Sequence, residues 1–456
     1  NYEEIMEKVG VIVDRGTRKK CISEQIDNEA NRLNLSPFLG NELLDELTDL
    51  VEFPKLIVCS FDRSYLELPS EVLCTVMKTH QRYIPLFERN TTISKLEITS
   101  ESILNTNFLC ISNGLEESVD LIKEGNEKVL KARFSDAKFF VGTDIKKTSA
   151  DRNQRLKFIT YLKGLGNVFD KVKRIEYISK EISSFINLDS SDLKRVLEAS
   201  RFSKHDLCSD IVYEFPELQG LMGGKYLRNE GFCEEVSLAV AEQYLPRFSN
   251  DELPSSIFGA ILSISDKLEN IISIYVIGKR PSGSSDPFAI RRNLNGIIQI
   301  IWSFNFNFKV DFFIDKLLNY WNETIENLNF DLEDVSTNLL EYTRQRIISH
   351  LYDSYDDKNS IKAIAESDHI PNKKIFDISD LKKRFDLIRD LRNKDNFEEI
   401  RQIISRLSKL SQKGELDKVT LSSEGLIDKR LFEKDCEKDV FSLIKKLERL
   451  SFSEEI

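Results

Sequence analysis

The period of the apolar residues changes along the chain, and it predicts where helices and strands lie. An amphipathic helical period with heavily charged faces covers 16–50. Short β-branched and aromatic runs at 56–61, 83–87 and 108–112 predict three strands. From residue 124 onward the period is helical almost throughout. The pattern therefore predicts a mainly α, multidomain protein with an N-terminal mixed α/β part.

Breaks in this pattern suggest how the chain divides. A Pro-, Gly- and Ser-rich loop over 279–286 and a polar stretch at 369–372 interrupt the helical period. Two amphipathic stripes, at 397–410 and 440–450, mark long helices near the C-terminus. We predict a mixed α/β domain over 1–150, a helical domain over 151–280, a helical linker or body region over 281–375 and a partial helical domain over 376–456.

Charge is distributed unevenly along the chain. The formal net charge of −11 excludes a uniformly basic nucleic-acid wrapper. However, 123–174 holds 14 Lys and Arg against 6 Asp and Glu, whereas 376–456 holds 18 of each. An acidic chain with a segment of charge +8 favours a local anion-binding surface, although solvated helix faces remain the alternative.

Several classes of protein are disfavoured by the absence of their signals. The most apolar stretch, 257–277, contains Asp266, Lys267 and Glu269, so no membrane span is predicted. No N-terminal signal pattern is present. The seven cysteines are scattered without a CxxC pair, which predicts thiols in a reducing cytoplasm. Because the chain starts at Asn1 and ends within a helical pattern, we expect a longer protein.

The usual nucleotide-binding and nucleophile motifs are missing. The chain contains no GxxxxGK[ST], no GxGxxG after a strand, no GxSxG and no HExxH. The run Gly223-Gly224-Lys225 lacks a phosphate-binding frame and predicts a turn that ends a helix. No catalytic residue is predicted.

One pair of residues resembles a metal site. His205-Asp206, followed by Asp266 on a later helix, resembles the HD family of metal-dependent phosphohydrolases. Such a site needs further imidazole ligands, yet 81–204 and 207–265 contain no histidine. The sequence therefore predicts that 151–280 is an HD-like helical domain with a degenerate metal site.

Seven collinear blocks closely resemble the β subunit of bacterial-type glycyl-tRNA synthetase. They begin with LPSEVL and MKTHQRY and continue through EGNEKVLKARFSDAKFF to GKRPSGSSDPFAIRR. The blocks cover 68–73, 77–83, 124–140, 163–166, 214–223, 244–254 and 278–292. Each block alone is weak, but their shared order identifies the family.

The resemblance implies a cytoplasmic, tRNA-binding subunit of a ligase. In that family glycine and ATP bind in a separate α subunit, and the two subunits form an α2β2 heterotetramer. The resemblance implies no cofactor in this chain, ATP and Mg in the α subunit, tRNA(Gly) as a partner, and neither membrane nor DNA. It also implies that 376–456 is part of a helical anticodon-binding domain.

Clustered cations are the candidates for contacting tRNA phosphates. In 123–174 and after the Gly-Ser loop they are Lys128, Lys131, Arg133, Lys138, Arg291 and Arg292. In the C-terminal region they are Lys382, Lys383, Arg384, Arg389 and Arg392. For Lys128, Lys131, Arg133 and Lys138, contact with the α subunit is an alternative. Arg291 and Arg292 could instead anchor the preceding loop through Asp286. For the C-terminal group, pairing with Asp380, Asp386 and Asp390 is equally compatible.

Two other functions stay open at this point. The first is an HD-type phosphohydrolase with a metal held by His205, Asp206 and Asp266. The second is a helical scaffold that does not bind RNA.

Overall fold

The computed structural model describes residues 2–90, 95–101, 103–113, 116–281, 286–307, 309–325, 330–365, 377–411 and 427–451. They fall into two compact units, Asn1–Phe385 and Asp386–Ile456. The predicted break at 369–372 and most of the predicted loop over 279–286 lie outside the described residues. The side chains at the ends of the two amphipathic stripes, 397–410 and 440–450, lie outside them as well. The division of the first unit at 150 and 280 stays a prediction.

Helices make up most of the described chain, which confirms the mainly α class. The N-terminal helices are α1 (Tyr2–Lys8), α2 (Arg15–Leu33), α3 (Asn41–Leu50), α4 (Ser70–Thr75) and α5 (Val119–Asp144). A π-helical turn over Val76–His80 continues α4. The next helices are α6 (Ser149–Arg155), α7 (Val168–Phe185), α8 (Ser190–Arg201), α9 (Asp210–Glu214), α10 (Leu221–Asn229), α11 (Glu234–Glu242) and α12 (Ile257–Val276). They are followed by α13 (Ile290–Phe304), α14 (Val310–Thr324), α15 (Leu332–Ser354), α16 (Lys358–Ala365), α17 (Ile378–Arg392), α18 (Phe397–Ser411) and α19 (Asp435–Ser451).

In the part of the chain that the structure describes, four strands form an antiparallel sheet in the order β1-β3-β4-β2. They are β1 (Leu35–Pro37), β2 (Lys55–Ser60), β3 (Ile84–Glu88) and β4 (Leu104–Ser112). The three predicted strands are confirmed as β2, β3 and β4. Strand β1 was not predicted, because three residues are too few to establish an alternating pattern.

The sheet is buried on both faces. Successive side chains of a strand point to opposite faces. Accordingly Phe108 of β4 joins a core with Leu130 and Phe134 of α5, whereas Leu109 joins a core with Ile22 and Leu47 of the N-terminal helices. The sheet thereby fixes α5, whose outer surface carries several of the predicted cations.

Helix α12 lies at the centre of the helices that follow the sheet. Residues 258–269 are all buried because α7, α8, α11 and α13 pack around this helix. Asp266, Lys267 and Glu269 lie within that interior, and buried charges are stable only when they are paired. Folding therefore has to supply partners for three charges on one helix.

The Gly223-Gly224-Lys225 run lies inside α10, so the predicted helix-ending turn is wrong. A Cβ on Gly224 would lie 2.4 Å from the carbonyl oxygen of Ser237 at the start of α11. The two glycines therefore permit close packing of α10 and α11, a requirement of tertiary structure that no local pattern reveals.

The C-terminal unit contains α18 and α19. The predicted amphipathic pattern is present, but Ile403, Ile404 and Leu407 of α18 are more than half exposed. Among the helices in the described ranges, none has the length and apolar character that crossing a bilayer requires.

Candidate nucleic-acid interface

Helix α5 carries exposed cations on both sides of its buried stripe. Leu130 and Phe134 face the core, and Lys131 and Arg133 flank them. The side chains of Lys128, Lys131 and Arg133 make no hydrogen bond or ion pair with any part of the chain that the structure describes. These three cations, here called the α5 cations, are therefore available to an external anion.

Lys138 differs from the α5 cations. Its ammonium lies 2.8 Å from Glu67 Oε2 and donates to the carbonyl oxygen of Ser64 at 3.2 Å. It thus connects α5 to the short 3-10 turn over Arg63–Glu67. The structure consequently separates Lys138 from Lys128 and Lys131, with which the sequence grouped it.

A second basic surface lies between α6 and α7, and it was not among the predicted candidates. It consists of Arg155, Lys157, Phe158 and Lys163, here called the basic patch. All four are exposed, and the Phe158 side chain is 87% exposed. Cations that neutralise phosphates beside an open aromatic ring form the combination that binds single-stranded nucleic acid.

The positive charge of 123–174 was the available signal for the basic patch. That signal led only to the candidates on α5. A phenylalanine between Lys157 and Ile159 has the same local pattern as a core residue, so Phe158 could not be recognised as exposed before the fold was known.

The loop that carries Lys163 is a tight, hydrogen-bonded reversal. The N–H of Tyr161 donates to the carbonyl of Gly166 at 3.1 Å, and the N–H of Val168 donates to that of Ile159 at 2.9 Å. Gly166 has a φ of +78°, and a Cβ there would lie 2.5 Å from Asp170 Oδ2. Glycine is therefore required at this position.

A buried charge cluster lies directly beneath this loop. It consists of Lys171 and Arg174 on α7, Lys204 after α8, and Asp266 and Glu269 on α12. Lys171 Nζ is 3.3 Å from Asp266 Oδ1 and 3.2 Å from Glu269 Oε2. Lys204 Nζ is 2.9 Å from Asp266 Oδ2, and Arg174 Nε donates to Glu269 Oε1 at 2.9 Å. Three cations thus surround two carboxylates.

The pKa shifts in the cluster follow from burial and mutual attraction. Burial acts to raise the pKa of Asp266, but the ammonium groups of Lys171 and Lys204 outweigh it and hold that pKa below its ordinary value. Burial lowers the pKa of Lys204 to about 8 despite the attraction of Asp266. For Lys171 the two carboxylates outweigh desolvation and raise the pKa. Lys171 and Asp266 therefore remain charged at neutral pH.

The cluster also holds the loop in place. Tyr161 Oη donates to Glu269 Oε2 at 3.1 Å, and Arg174 Nη1 donates to the carbonyl of Leu165 at 3.2 Å. Side chains on α7 and α12 thereby fix both ends of the reversal that presents Lys163.

His205 is fully buried and neutral. Arg152 Nε donates to its Nδ1 at 3.2 Å, so Nε2 carries the proton and faces the carbonyl of Gly223 at 3.1 Å. Burial, with Arg152 adding to it, lowers the pKa of His205 to about 3. The imidazole acts as a connector between α6 and α10.

Asp206 is held by main-chain groups. Its Oδ2 accepts from the N–H of Gly220 at 2.6 Å and from that of Gly223 at 3.1 Å. Burial nevertheless raises the pKa of Asp206 to about 6, against the N–H of Gly220 and the charge of Lys204.

The three residues of the suggested metal site are therefore engaged by protein groups. His205 and Asp206 bind Arg152 and glycine backbone, while the ammonium groups of two lysines flank Asp266. In the described ranges, no three His, Cys, Asp or Glu side chains group as metal ligands do. This arrangement does not favour a metal-dependent phosphohydrolase.

The arginines at the start of α13 divide into two environments. Asp286 accepts from the backbone N–H groups of Ile290 at 2.8 Å and Arg291 at 3.0 Å, so it caps the helix through the main chain. The Arg291 side chain lies beside the Tyr342 hydroxyl. Arg292 is exposed.

The candidates on α17 are partly paired within the helix. Arg384 Nε donates to Asp380 at 2.5 Å, and Arg389 Nη2 lies 3.1 Å from Asp386. Both arginines therefore pair with neighbouring aspartates, and their contact with tRNA stays a prediction. The remaining candidates are Lys382, whose ammonium is 5.8 Å from the Trp302 ring centre, and the exposed Lys383 and Arg392.

Comparison with known proteins yields one family. A family model described as glycyl-tRNA synthetase beta subunit matches residues 1–366. A glycine–tRNA ligase beta subunit from Thermodesulfovibrio yellowstonii is 38% identical over 435 residues, which is 95% of this chain and 60% of that protein.

Other curated relatives carry the same description. The one from Trichodesmium erythraeum is 35% identical over 438 residues, covering 96% of this chain and 60% of its own length. The one from Bacillus subtilis is 34% identical over 442 residues, covering 96% and 59%. The chain thus spans about 60% of the length of these relatives.

Proposed function

The chain belongs to the glycyl-tRNA synthetase beta subunit family, and from this membership we propose that it binds tRNA(Gly) for a glycine–tRNA ligase. In this proposal the chain positions the tRNA, and the aminoacylation chemistry takes place on a separate α subunit. ATP and Mg then belong to the α subunit, and the assembly is an α2β2 heterotetramer in the cytoplasm. The seven cysteines, all of them free thiols, are compatible with that location.

The observation that carries the proposal is the exposed cationic surface of an otherwise acidic chain. The α5 cations make no ion pair within the described ranges, and the basic patch adds Phe158 as an open stacking surface. Phosphate neutralisation supplies most of the affinity for a nucleic acid, and aromatic stacking binds unpaired bases.

The finer architecture is part of the same proposal. We assign 151–280 to an HD-like domain in which the buried charge cluster replaces a metal, and 376–456 to part of a helical anticodon-binding domain. Lys383, Arg392 and Arg292 are then additional phosphate contacts. The buried charge cluster supports a role of this domain in tRNA binding, because it holds the loop that carries Lys163 in place.

Co-purification with a glycyl-tRNA synthetase α subunit tests the proposal. We expect the chain to form a complex with the α subunit and aminoacylation of tRNA(Gly) to depend on it, because positioning of the tRNA would be lost without it. Glycine-dependent adenylate formation by the α subunit, measured in parallel, shows whether the active site itself is intact.

A matched pair of variants separates binding from folding. Charge removal at Lys128, Lys131 and Arg133 should lower aminoacylation at limiting tRNA, whereas removal of three exposed lysines elsewhere, Lys20, Lys180 and Lys194, should not. Unchanged aminoacylation when the chain is omitted would contradict the proposal, as would equal losses in the two variants.

A further inference from the structure

A cavity of about 220 Å³ lies between the helix formed by α4 with its π-helical turn and the edge of the sheet. Glu71, Cys74 and Lys78 line it from the helix. Phe38 and Phe87 line it from the sheet side, with their ring centres 5.2 Å apart in an edge-to-face arrangement. The cavity thus combines one carboxylate, one ammonium and an aromatic wall.

Lys78 brings a positive charge to this cavity without an ion pair in the described residues. Its Nζ lies 3.9 Å from the centre of the Phe38 ring. Elsewhere in the described part of the chain it finds neither a hydrogen bond nor an ion pair. Burial lowers the pKa of Lys78 although Cys74 and Glu42 act to raise it, so nearby negative charge only partly offsets the water that the ammonium has lost. Cation–π contact offsets only part of that cost, so the site favours an anionic ligand group.

Glu71 is fixed on one side and open on the other. The ammonium of Lys225, whose side chain is fully buried, lies 3.0 Å from Glu71 Oε2, and Ser70 Oγ donates to the same oxygen at 3.2 Å. Among the described residues, no hydrogen bond occupies Glu71 Oε1. A positioned carboxylate with one open oxygen accepts a hydrogen bond from a ligand N–H group.

The two charges do not pair with each other. Glu71 and Lys78 are two helical turns apart, and a lysine side chain leans toward the N-terminus of its helix, so both charged groups face the same cavity. Opposite charges that line one cavity without pairing suit a ligand that carries both a positive and a negative group. The geometry points to a binding site for a free α-amino acid, with its carboxylate on Lys78, its ammonium on Glu71 and its side chain against Phe38 and Phe87.

The aromatic wall also indicates the kind of amino acid. Its rings offer apolar surface that the single methylene of glycine would leave uncovered, whereas a branched or aromatic side chain would cover it. The ligand is therefore an amino acid with an apolar side chain, distinct from the glycine of the proposed ligase reaction. The inference rests on the cavity alone and does not depend on the proposed tRNA binding.

Calorimetric titration of the purified chain tests the ligand class. L-Phenylalanine and L-leucine are expected to bind. Glycine, 3-phenylpropionate and phenethylamine, which lack the side chain, the ammonium and the carboxylate respectively, should each bind about tenfold more weakly or worse. Absence of L-phenylalanine binding at millimolar concentration would overturn the inference, and so would equal affinity for glycine.

Two variants test the assigned contacts. Lys78→Met keeps an apolar stem beside Phe38 but removes the charge, and it should weaken L-phenylalanine binding about tenfold or more. Glu71→Gln should weaken it similarly, provided that thermal unfolding shows the variant folded. Lys20→Met, at an exposed lysine outside the cavity, is the control. Wild-type affinity in Lys78→Met would refute the site even if Glu71→Gln failed to fold.

Discussion

Neighbouring lysines on α7 occupy opposite environments. The Lys171 side chain is 12% exposed and lies between Asp266 and Glu269, whereas the Lys173 side chain is 59% exposed and pairs with Asp170 at the surface. A buried carboxylate that loses its cation retains the cost of desolvation, while a surface pair contributes little. At the scale of single residues, burial therefore decides how much the ion pairs of a lysine contribute to the free energy of unfolding.

Replacement of Lys171 tests this difference. Lys171→Met should lower the free energy of unfolding by about 3–5 kcal/mol, because Asp266 and Glu269 lose a shared partner. Lys173→Met is the matched control and should change it by less than about 1 kcal/mol. Urea denaturation of both variants measures the difference. Similar losses in the two would mean that the cluster does not depend on Lys171.

His205 predicts a pH dependence of stability. The unfolded chain takes up a proton at this residue near pH 6.5, but the folded chain does so only near pH 3, so acidification between these values favours unfolding. His205→Asn lacks this group while an amide can still bind Arg152 and Gly223. Between pH 7 and pH 5 the wild type should therefore lose roughly 2 kcal/mol relative to the variant.

Denaturant titrations of both proteins at the two pH values measure this quantity. The comparison cancels the contribution of Asp206, which is the same in both proteins. Because the pKa of Asp206 is raised, acidification at this residue favours the folded chain, opposite to the effect of His205. Parallel pH profiles would show that His205 is protonated in the folded chain.

Phe158 predicts a separation of binding from stability. Phe158→Ala should weaken RNA binding by about 1–3 kcal/mol, the worth of one stacked base, without lowering the unfolding temperature, since the ring is already 87% exposed. Tyr213→Ala, at an equally exposed aromatic residue outside the basic patch, is the control. Filter binding at fixed salt compares the variants, and equal weakening in both would remove Phe158 from the interface.

At the scale of elements, the loop between α6 and α7 depends on two glycines for different reasons. Gly164 has a φ of +89°, and a Cβ added there would meet nothing within 4 Å, whereas Gly166 adds the close approach to Asp170. Alanine at Gly164 therefore meets only the backbone cost, about 1–2 kcal/mol. At Gly166 a steric conflict with Asp170 is added. The carboxylate of Asp170 accepts from the N–H of Asn167 and so caps the start of α7.

Alanine substitution tests this distinction. Gly166→Ala should destabilise the chain more than Gly164→Ala, by about 1–3 kcal/mol, because the capping carboxylate of Asp170 has to move away. Thermal or urea unfolding of the two variants gives the difference. Equal effects would indicate that the loop relaxes without disturbing the cap of α7.

Elements were predictable where their signal is local. The stripe of Leu130, Phe134 and Ala137 predicted the inward face of α5, and all three are buried. The glycines of α10 were misread because their cause lies in α11, which packs against them. Periodicity reports which face is apolar, but it does not report which helix covers that face.

At the scale of the whole molecule, the uneven charge predicts a salt dependence. If the α5 cations contact phosphates, a triple variant without them should bind tRNA more weakly. It combines the substitutions Lys128→Ala, Lys131→Ala and Arg133→Ala. They should also reduce the slope of log affinity against log salt by about 0.7–0.9 for each phosphate that is no longer neutralised. Lys20→Ala, Lys180→Ala and Lys194→Ala combined change the net charge equally and should leave the slope unchanged.

Filter binding over a series of salt concentrations measures both slopes. A general electrostatic effect of net charge would change the salt-dependence slope equally in the two triple variants. A difference confined to the α5 variant would show that the position of the charges matters and not their sum.

The sequence by itself determined the mainly helical class, the three longer strands, the family and the location of the positive charge, because each is written in local periodicity, motif order or counted residues. Only the tertiary structure decided which charges remain available. It paired Lys138 with Glu67, buried Lys171 and Lys204 against Asp266, and left Phe158 exposed. The physical reason is that burial and pairing depend on residues brought together from distant parts of the chain.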